Sequence, residues 1–211
     1  MIPDHDTTVA PTGPFRNSFE AYSASKVFAR HATDDFVRNK RPSFDIINVM
    51  PSFLIGKNEL VTNLRDIEKG PNRFALAAIR GYHNQPVPGT TVHVDDAAMV
   101  HVRALATSYI PGGNDPIYDH FLASSGSRQG TIFNDAIDIV KANFKQQVEE
   151  GLFPMNGTQP VKAIMLDSDR TQKVFGFAFA DFTQQVVSVV GHYIELAREA
   201  GVKTAEDLIA R

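Results

Sequence analysis

The sequence contains no cysteine and no tryptophan, and it carries no excess of positive charge. Without cysteine, the chain can form no disulfide, no thiolate metal site and no cysteine nucleophile. The formal net charge is −3, and lysines and arginines do not cluster among aromatic residues, which argues against nucleic acid as a partner. No signal-peptide pattern and no apolar stretch of about 18 residues is present, so we expect a cytoplasmic protein without a membrane partner.

The most informative stretch is Tyr22-Ser23-Ala24-Ser25-Lys26. A Tyr and a Lys four residues apart on a helix project from the same face, one turn apart. A nearby ammonium favours the phenolate, so such a phenol can give or take a proton at a carbonyl or alcohol oxygen. On spacing alone, a surface Lys one turn after a half-buried Tyr is the more common explanation.

Apolar runs along the chain predict alternating helices and strands. The predicted helices cover residues 19–39, 58–68, 72–80, 97–107, 131–144 and 181–200, with a short helix that ends near Gly176. The predicted strands cover residues 44–50, 90–94, 118–124 and 161–166. The segment at 44–50 is rich in β-branched residues, which is typical of a largely buried strand, so the pattern predicts an α/β fold with a partly parallel sheet.

The order of the motifs resembles that of a known family. The YxASK helix is followed by a strand that ends at Pro51, then by SFLIG at 52–56, VHVDDAAMVHVRAL at 92–105 and KVFGF at 173–177. This order is similar to the C-terminal part of the extended short-chain dehydrogenase/reductases, especially the dihydroflavonol-reductase-like ketoreductases. Pro3, Pro11, Gly13 and Pro14 predict a leader loop at 1–17. The resemblance covers most of the chain that follows. It also implies an incomplete, Rossmann-like doubly wound sheet with a small substrate-binding subdomain at 18–211.

The resemblance also implies roles for single residues. Tyr22 would be the catalytic acid, and Lys26 would lower its pKa and hold the nicotinamide ribose. Pro51, Ser52 and Phe53 would border the cofactor, while Phe53 and Leu54 would face the substrate. From the residues themselves, four aromatic side chains are candidates for an apolar substrate pocket, with core packing as the alternative: Phe15, Phe53, Tyr82 and Phe153.

The sequence departs from the family pattern in its phosphate site. The family's strand, GxxGxxG turn and helix are absent, and so is the catalytic Ser or Thr that precedes the Tyr in relatives. We therefore expect this chain alone to bind NADP or NAD weakly or not at all. Three functions stay open: a carbonyl reductase acting on a small molecule, a cofactor-independent isomerase, dehydratase or cyclase that uses the Tyr/Lys pair, and a non-catalytic binding module.

Two further expectations concern metals and partners. His93, Asp95 and Asp96 could be metal ligands, but the two aspartates fit better as the cap of the helix that follows, so we expect no metal site. The strand at 44–50 would have an open edge and uncovered faces in a sheet without its first strands. An exposed apolar edge promotes association, so we expect a homodimer or another covering chain.

Overall fold

A computed structural model describes residues 12–106, 110, 118–126 and 130–209. Along them, helices and strands alternate. The helices are α1 (Ser18–Lys40), α2 (Asn72–Arg80), α3 (Val94–Ala104), α4 (Ala136–Asn143), α5 (Lys145–Glu149), α6 (Asp169–Phe175), α7 (Phe182–Glu199) and α8 (Glu206–Ile209). The strands are β1 (Ile46–Pro51), β2 (Phe53–Ile55), β3 (Val87–Pro88), β4 (Thr91–His93), β5 (Tyr118–Ala123) and β6 (Val161–Lys162).

The strands form three parallel pairs. β1 pairs with β5 from Ile46 opposite Tyr118 to Pro51 opposite Ala123. β2 pairs with β4, and β3 pairs with β6. Parallel strands joined through helices confirm the predicted α/β class.

Most of the apolar core lies C-terminal to β2. The larger cluster gathers around α2, α4 and α7 and includes Leu76, Ile79, Val140, Val190 and Tyr193, all fully buried. The smaller cluster packs α3 and α6 against β5, with Val92, Val100, Phe121 and Phe175 at its centre. Against these, β1 contributes only the half-buried side chains of Ile47 and Val49 to the described core.

Several predicted elements are wrong in type or length. The predicted helix at 58–68 is a series of turns. Within it, the Asn63 side chain bonds both the backbone N–H and the carboxylate of Asp66. Such local side-chain bonds compete with helical hydrogen bonding. The predicted strand at 161–166 pairs over two residues only, and the predicted helix at 131–144 divides into a 3-10 turn at Phe133–Asp135 and α4.

The start of α3 also differs from its prediction. His93 is the N-cap, because its Nδ1 accepts the Asp95 backbone N–H at 3.2 Å. Asp96 instead accepts the Ala180 backbone N–H at 2.7 Å and so ties α3 to the segment before α7. Asp95 and Asp96 are therefore not the capping pair.

The strand at 44–50 is less buried than predicted. β1 starts at Ile46, its side chains are half-buried, and Pro51 is exposed. Phe44 is 58% exposed and packs its ring near Phe36 of α1, with centroids 6.4 Å apart. The strand prediction for this segment is confirmed. The burial of the strand depends on neighbours that the described residues do not supply.

Candidate active site

Tyr22 and Lys26 lie one turn apart on the same face of α1. The Lys26 Nζ is 5.2 Å from the centroid of the Tyr22 ring. The Tyr22 side chain is 57% exposed, and Ala24 between the pair is the buried residue of this helix. The predicted helical spacing is therefore present, and it leaves the phenol open to solvent and to a bound molecule.

Helix α1 attaches to the sheet through polar groups. Asp34 accepts a hydrogen bond from the Tyr118 hydroxyl of β5. Burial, followed by the Asp34 contact, raises the pKa of Tyr118 to about 12, so this phenol stays protonated as the donor. The contact holds the C-terminal half of α1, about two turns beyond Lys26.

His120 and Asn48 face each other across β5 and β1 on the same side of the sheet as Tyr118. Burial lowers the pKa of His120, and the nearby positive charge of Arg30 lowers it further. The His120 Nδ1 and the Asn48 Nδ2 are buried without a hydrogen-bond partner in the described structure. The surface beneath α1 is thus polar, and the hydrogen-bonding capacity of its buried side chains is only partly used.

The predicted cofactor residues lie where the chain passes from one strand pair to the next. The Ser52 N–H donates to the Ala123 carbonyl at 2.9 Å, and the Phe53 N–H donates to the Thr90 carbonyl at 3.3 Å. Ser52 therefore follows the carboxyl end of β1, beside the carboxyl end of β5. Ligands of open α/β sheets bind at such carboxyl ends. The Ser52 Oγ is buried, and the described structure gives it no hydrogen-bond partner.

Phe53 and Leu54 point to different surroundings. Phe53 is half-buried against Phe74 of α2, with ring centroids 4.9 Å apart, whereas Leu54 is 38% exposed. Gly56 then turns the chain at φ 143°, and a Cβ there would lie 2.9 Å from the Val94 side chain, so no larger residue fits. This turn fixes the direction in which the 52–55 segment enters the site.

Sequence reasoning missed a second polar group at these strand ends. Ser125, two residues after β5, donates from its Oγ to the Thr91 carbonyl at 3.0 Å. The fully buried Gln185 of α7 donates from its Nε2 to the Ser125 Oγ at 2.6 Å, while its Oε1 has no partner among the described residues. The signal that could have revealed it is Ser124-Ser125-Gly126 directly after a strand.

The structure does not bring all the predicted residues together. Tyr82 follows the C-terminal end of α2, whereas Phe53 packs against the first turn of this nine-residue helix. The Tyr82 hydroxyl accepts a hydrogen bond from Arg80 at 3.2 Å. Within the described residues, no hydrogen bond or ring contact joins Tyr22 or Lys26 to residues 51–54. The roles of all these residues stay predictions.

Metal ligands are not assembled in the part of the chain that the structure describes: it holds no cluster of three or more His, Asp or Glu side chains. At α3, the His93 Nδ1 lies 3.6 Å from an Asp95 carboxylate oxygen that is largely exposed, while Asp96 is engaged elsewhere. Among the same residues, no helix is both long and apolar enough to cross a membrane.

Comparison with curated proteins finds fungal ketoreductases, although no family model matches the chain. The chain is 30% identical to the ketoreductase CTB6 of Cercospora beticola over 195 residues, which are 90% of this chain and 53% of the relative. It is 27% identical to the NAD-dependent epimerase/dehydratase ALT6 of Alternaria alternata, over 88% of this chain and 53% of that protein. The chain spans about half the length of these relatives.

Solved structures show the same fold. Gre2 from Candida albicans superposes with a TM-score of 0.61 at 21% identity, over 86% of this chain and 54% of Gre2. Vestitone reductase from alfalfa superposes with a TM-score of 0.55 at 19% identity, over 89% of this chain and 54% of the reductase. The fold is thus that of a Rossmann-like reductase or epimerase. With the ketoreductase relatives, it supports the predicted resemblance of this chain to the extended short-chain dehydrogenase/reductases.

Proposed function

We propose that this chain carries the proton-transfer residues of an NAD(P)H-dependent carbonyl reductase acting on a small organic carbonyl. The observation that carries the proposal is the Tyr22 and Lys26 pair, placed one helical turn apart on α1 with the phenol 57% exposed. The relatives named as ketoreductases support the reaction class.

In this proposal, Tyr22 donates its hydroxyl proton to the carbonyl oxygen as that oxygen becomes an alcohol. Lys26 stabilises the phenolate that remains, because a positive charge nearby favours the ionised phenol. Leu54 and Phe53 supply apolar surface for the substrate at the ends of the strands. When bound, a reduced nicotinamide supplies the hydride that goes to the carbonyl carbon.

The residues present fit one end of that cofactor. Lys26, Pro51, Ser52 and Phe53 would hold the nicotinamide and its ribose, and the unpartnered Ser52 Oγ offers a hydroxyl for a hydrogen bond there. The residues do not fit the pyrophosphate, since the sequence contains no GxxGxxG turn between a strand and a helix. NADP and NAD are both compatible with the residues at the nicotinamide end.

The Tyr22 and Lys26 pair also supports a second candidate function. A pyrophosphate normally binds to the backbone N–H groups of such a turn and the helix that follows it. A chain without the turn could use Tyr22 and Lys26 for proton transfer alone, in an isomerisation, dehydration or cyclisation of a small molecule. The two candidates share Tyr22 as the acid and differ in their need for a dinucleotide.

Replacing Tyr22 by Phe tests both candidates. Because the substitution removes the proton donor and leaves the exposed ring, we expect turnover to fall by at least about 100-fold, with the circular dichroism spectrum unchanged. Turnover is measured with NADPH and NADH on small ketones and aldehydes, and without dinucleotide. The matched control is Lys40→Met, an exposed residue in the last turn of the same helix. Unchanged turnover in Tyr22→Phe would remove the assigned role.

Replacing Lys26 by Met should move the pH profile of the same turnover to higher pH. The phenol loses the neighbouring cation that favours its ionised form. The Lys40→Met control should keep the profile of the original protein. A profile unmoved by Lys26→Met would show that the ammonium does not tune the phenol.

Calorimetric titration of the chain with NADPH and with NADH separates the two candidates. Since no phosphate turn is present, we expect a dissociation constant well above the low micromolar range. A low micromolar constant would contradict the expected weakness and favour the reductase. Turnover without any dinucleotide would favour the non-redox candidate.

A further inference from the structure

A cavity of about 450 Å³ lies at the end of α2 that is remote from the strand ends. Its lining includes the end of α2, the turns before that helix and the segment after α7: Asn63, Leu64, Arg65, Glu68, Arg80, Tyr82, Ala200 and Val202. Its size is within the range of sites that hold small molecules.

The cationic side chains of this cavity differ in how they are paired. Arg80 is almost enclosed, and it donates to Glu68 at 2.9 Å, to Tyr82 at 3.2 Å and to the Tyr193 hydroxyl. Arg65 is exposed at the rim, and no hydrogen bond or ion pair involves it within the described structure. Because Glu68 balances Arg80, the lining keeps one positive charge in excess.

The hydroxyl of Tyr82 adds a directed donor. It accepts the Arg80 bond, and its own O–H proton has no acceptor among the described residues. The side chain is 41% exposed, and the Arg80 guanidinium, 5.7 Å from the ring centroid, holds the ring in place. Leu64, Ala200 and Val202 supply an apolar surface to the same cavity.

We propose that this cavity binds a small organic anion, with its carboxylate or phosphate between Arg65 and the Tyr82 hydroxyl and its apolar part against Leu64, Ala200 and Val202. A free guanidinium and a phenol donor suit an oxyanion, since charge-assisted hydrogen bonds are the stronger class. Arg80 acts as a positioning residue, because its bonds to Glu68 and Tyr193 fix the Tyr82 ring.

The cavity is separate from the candidate active site. Gln185 bonds Ser125 at the strand ends, while Ala200 lines the cavity 15 residues later along α7. At 1.5 Å per residue, that separation is about 22 Å. The proposal thus concerns a second site and is independent of the proposed carbonyl reduction.

Titrations followed by amide chemical shifts in nitrogen-15 spectra test the site, with three probes at low ionic strength. Benzoate carries both a ring and a carboxylate, inorganic phosphate is an oxyanion without an apolar part, and benzamide is the uncharged counterpart of benzoate. We expect benzoate to shift the signals around Arg65, Arg80 and Tyr82, phosphate to bind more weakly at the same signals, and benzamide to leave them in place. Phosphate binding more tightly than benzoate would assign the site to phosphate esters instead of apolar carboxylates and keep the oxyanion proposal.

Two variants assign the binding to the named groups. Arg65→Gln should weaken benzoate binding about fivefold, the upper range for one exposed ion pair. Tyr82→Phe should weaken it by about threefold to tenfold, the effect of one hydrogen bond. The matched control is Arg73→Gln, because that exposed guanidinium lies over the Phe74 ring, 4.7 Å from its centroid, and does not line the cavity.

The outcomes that overturn the proposal are distinct from those of the turnover experiments. Absence of shifts with both anions, or equal shifts with benzamide, would show that the cavity holds no anion. If Arg73→Gln and Arg65→Gln weakened benzoate binding equally, the anion would be attracted by the overall charge of the protein and not by the cavity. Unchanged binding in both Arg65→Gln and Tyr82→Phe would place the anion elsewhere.

Discussion

The two long helices of this protein are buried to very different degrees. Helix α7 has 18 residues, and eight of them are buried, including Val186, Val190 and Tyr193. Helix α1 has 23 residues, and Ala24 is the one that is buried. Its large apolar side chains are exposed instead: Phe19, Tyr22, Phe28 and Phe36.

The difference lies in what each helix packs against. The larger core cluster surrounds α7 with α2 and α4, whereas α1 touches the sheet through polar groups such as Asp34 and Tyr118. Amphipathic helices gain most of their stability from tertiary packing. Helix α7 therefore has its stabilising neighbours within the chain, and α1, which carries Tyr22 and Lys26, keeps an apolar surface available for a further partner.

Equivalent truncations in the two helices give the largest expected contrast. Leu196→Ala in α7 removes a side chain that is 5% exposed, and we expect it to lower the free energy of unfolding by about 2–5 kcal/mol. Phe28→Ala in α1 removes a side chain that is 44% exposed, and we expect a change within about 0.5 kcal/mol for the monomeric chain. Urea denaturation at low protein concentration measures both.

The comparison fails if the two variants behave alike. If Phe28→Ala lowered the free energy of unfolding by a large amount that grows with protein concentration, α1 would be covered in an oligomer. If Leu196→Ala lowered the free energy of unfolding only slightly, the core around α7 would relax to fill the space of the missing side chain. Lys40→Met, at an exposed position of α1, serves as the control for substitution in that helix.

Association through α1 is the next expected effect. We predict a two-fold dimer, because exposed aromatic rings on one helix can bury apolar area against a second copy at about 25 cal/mol per Å². Light scattering at low micromolar concentration should give twice the monomer mass. The double variant Phe28→Ser and Phe36→Ser, at positions eight residues apart on the same side of α1, should give the monomer mass with the same helical content.

A monomeric original protein would contradict this prediction. If that monomer also fails to bind a dye that reports apolar surface, the exposed aromatic residues of α1 do not form a continuous patch. The double substitution Leu105→Ser and Val102→Ser is the control, since these side chains at the C-terminal end of α3 are 85% and 63% exposed.

Sequence reasoning predicted α7 and β5 to within a residue or two, because each has one strong pattern. The apolar stripe of α7 has helical spacing, and its capping box of Asp181 with Gln184 marks where it starts. The helix predicted at 58–68 is wrong for the opposite reason. Its helical pattern is weak, and the local hydrogen bonds between Asn63 and Asp66 compete with helical hydrogen bonding. The apolar pattern thus predicts the type of a secondary-structure element, and local side-chain hydrogen bonds determine whether that element forms.

The candidate site was less predictable than the fold. The Tyr22 and Lys26 pair depends on spacing within one helix, so the sequence predicted their contact directly. Gln185 and Ser125 meet across 60 positions of sequence, and the pairing depends on how α7 packs on the strand ends. The surroundings of Tyr82 were unpredictable for the same reason, since the packing of α2 and α7 brings together Arg80 and Tyr193.

The smallest predicted effect concerns pH and again separates α1 from α7. Burial lowers the pKa of His120 beneath α1, and the charge of Arg30 lowers it further, whereas Asp34 and Asp119 act in the other direction. The unfolded chain therefore binds a proton more readily than the folded one, so the stability from neutral His120 is present above about pH 6.5 and declines as the pH falls. Asp119 and Arg170 keep their charges over that range, because their hydrogen-bonded ion pair lowers the pKa of the carboxyl group and raises the pKa of the guanidinium.

Between pH 7.5 and pH 5.5, we thus expect amide hydrogen exchange in α1 to accelerate relative to intrinsic rates, while the apolar contacts of α7 keep its protection unchanged. His120→Asn should abolish the acceleration, and His83→Asn, at an exposed position after α2, should preserve it. Equal acceleration in both helices would mean that the two form one cooperative unit. In that case, the polar contact of α1 would be as strongly coupled to the core as the apolar contact of α7, and the contrast in burial would not translate into a contrast in stability.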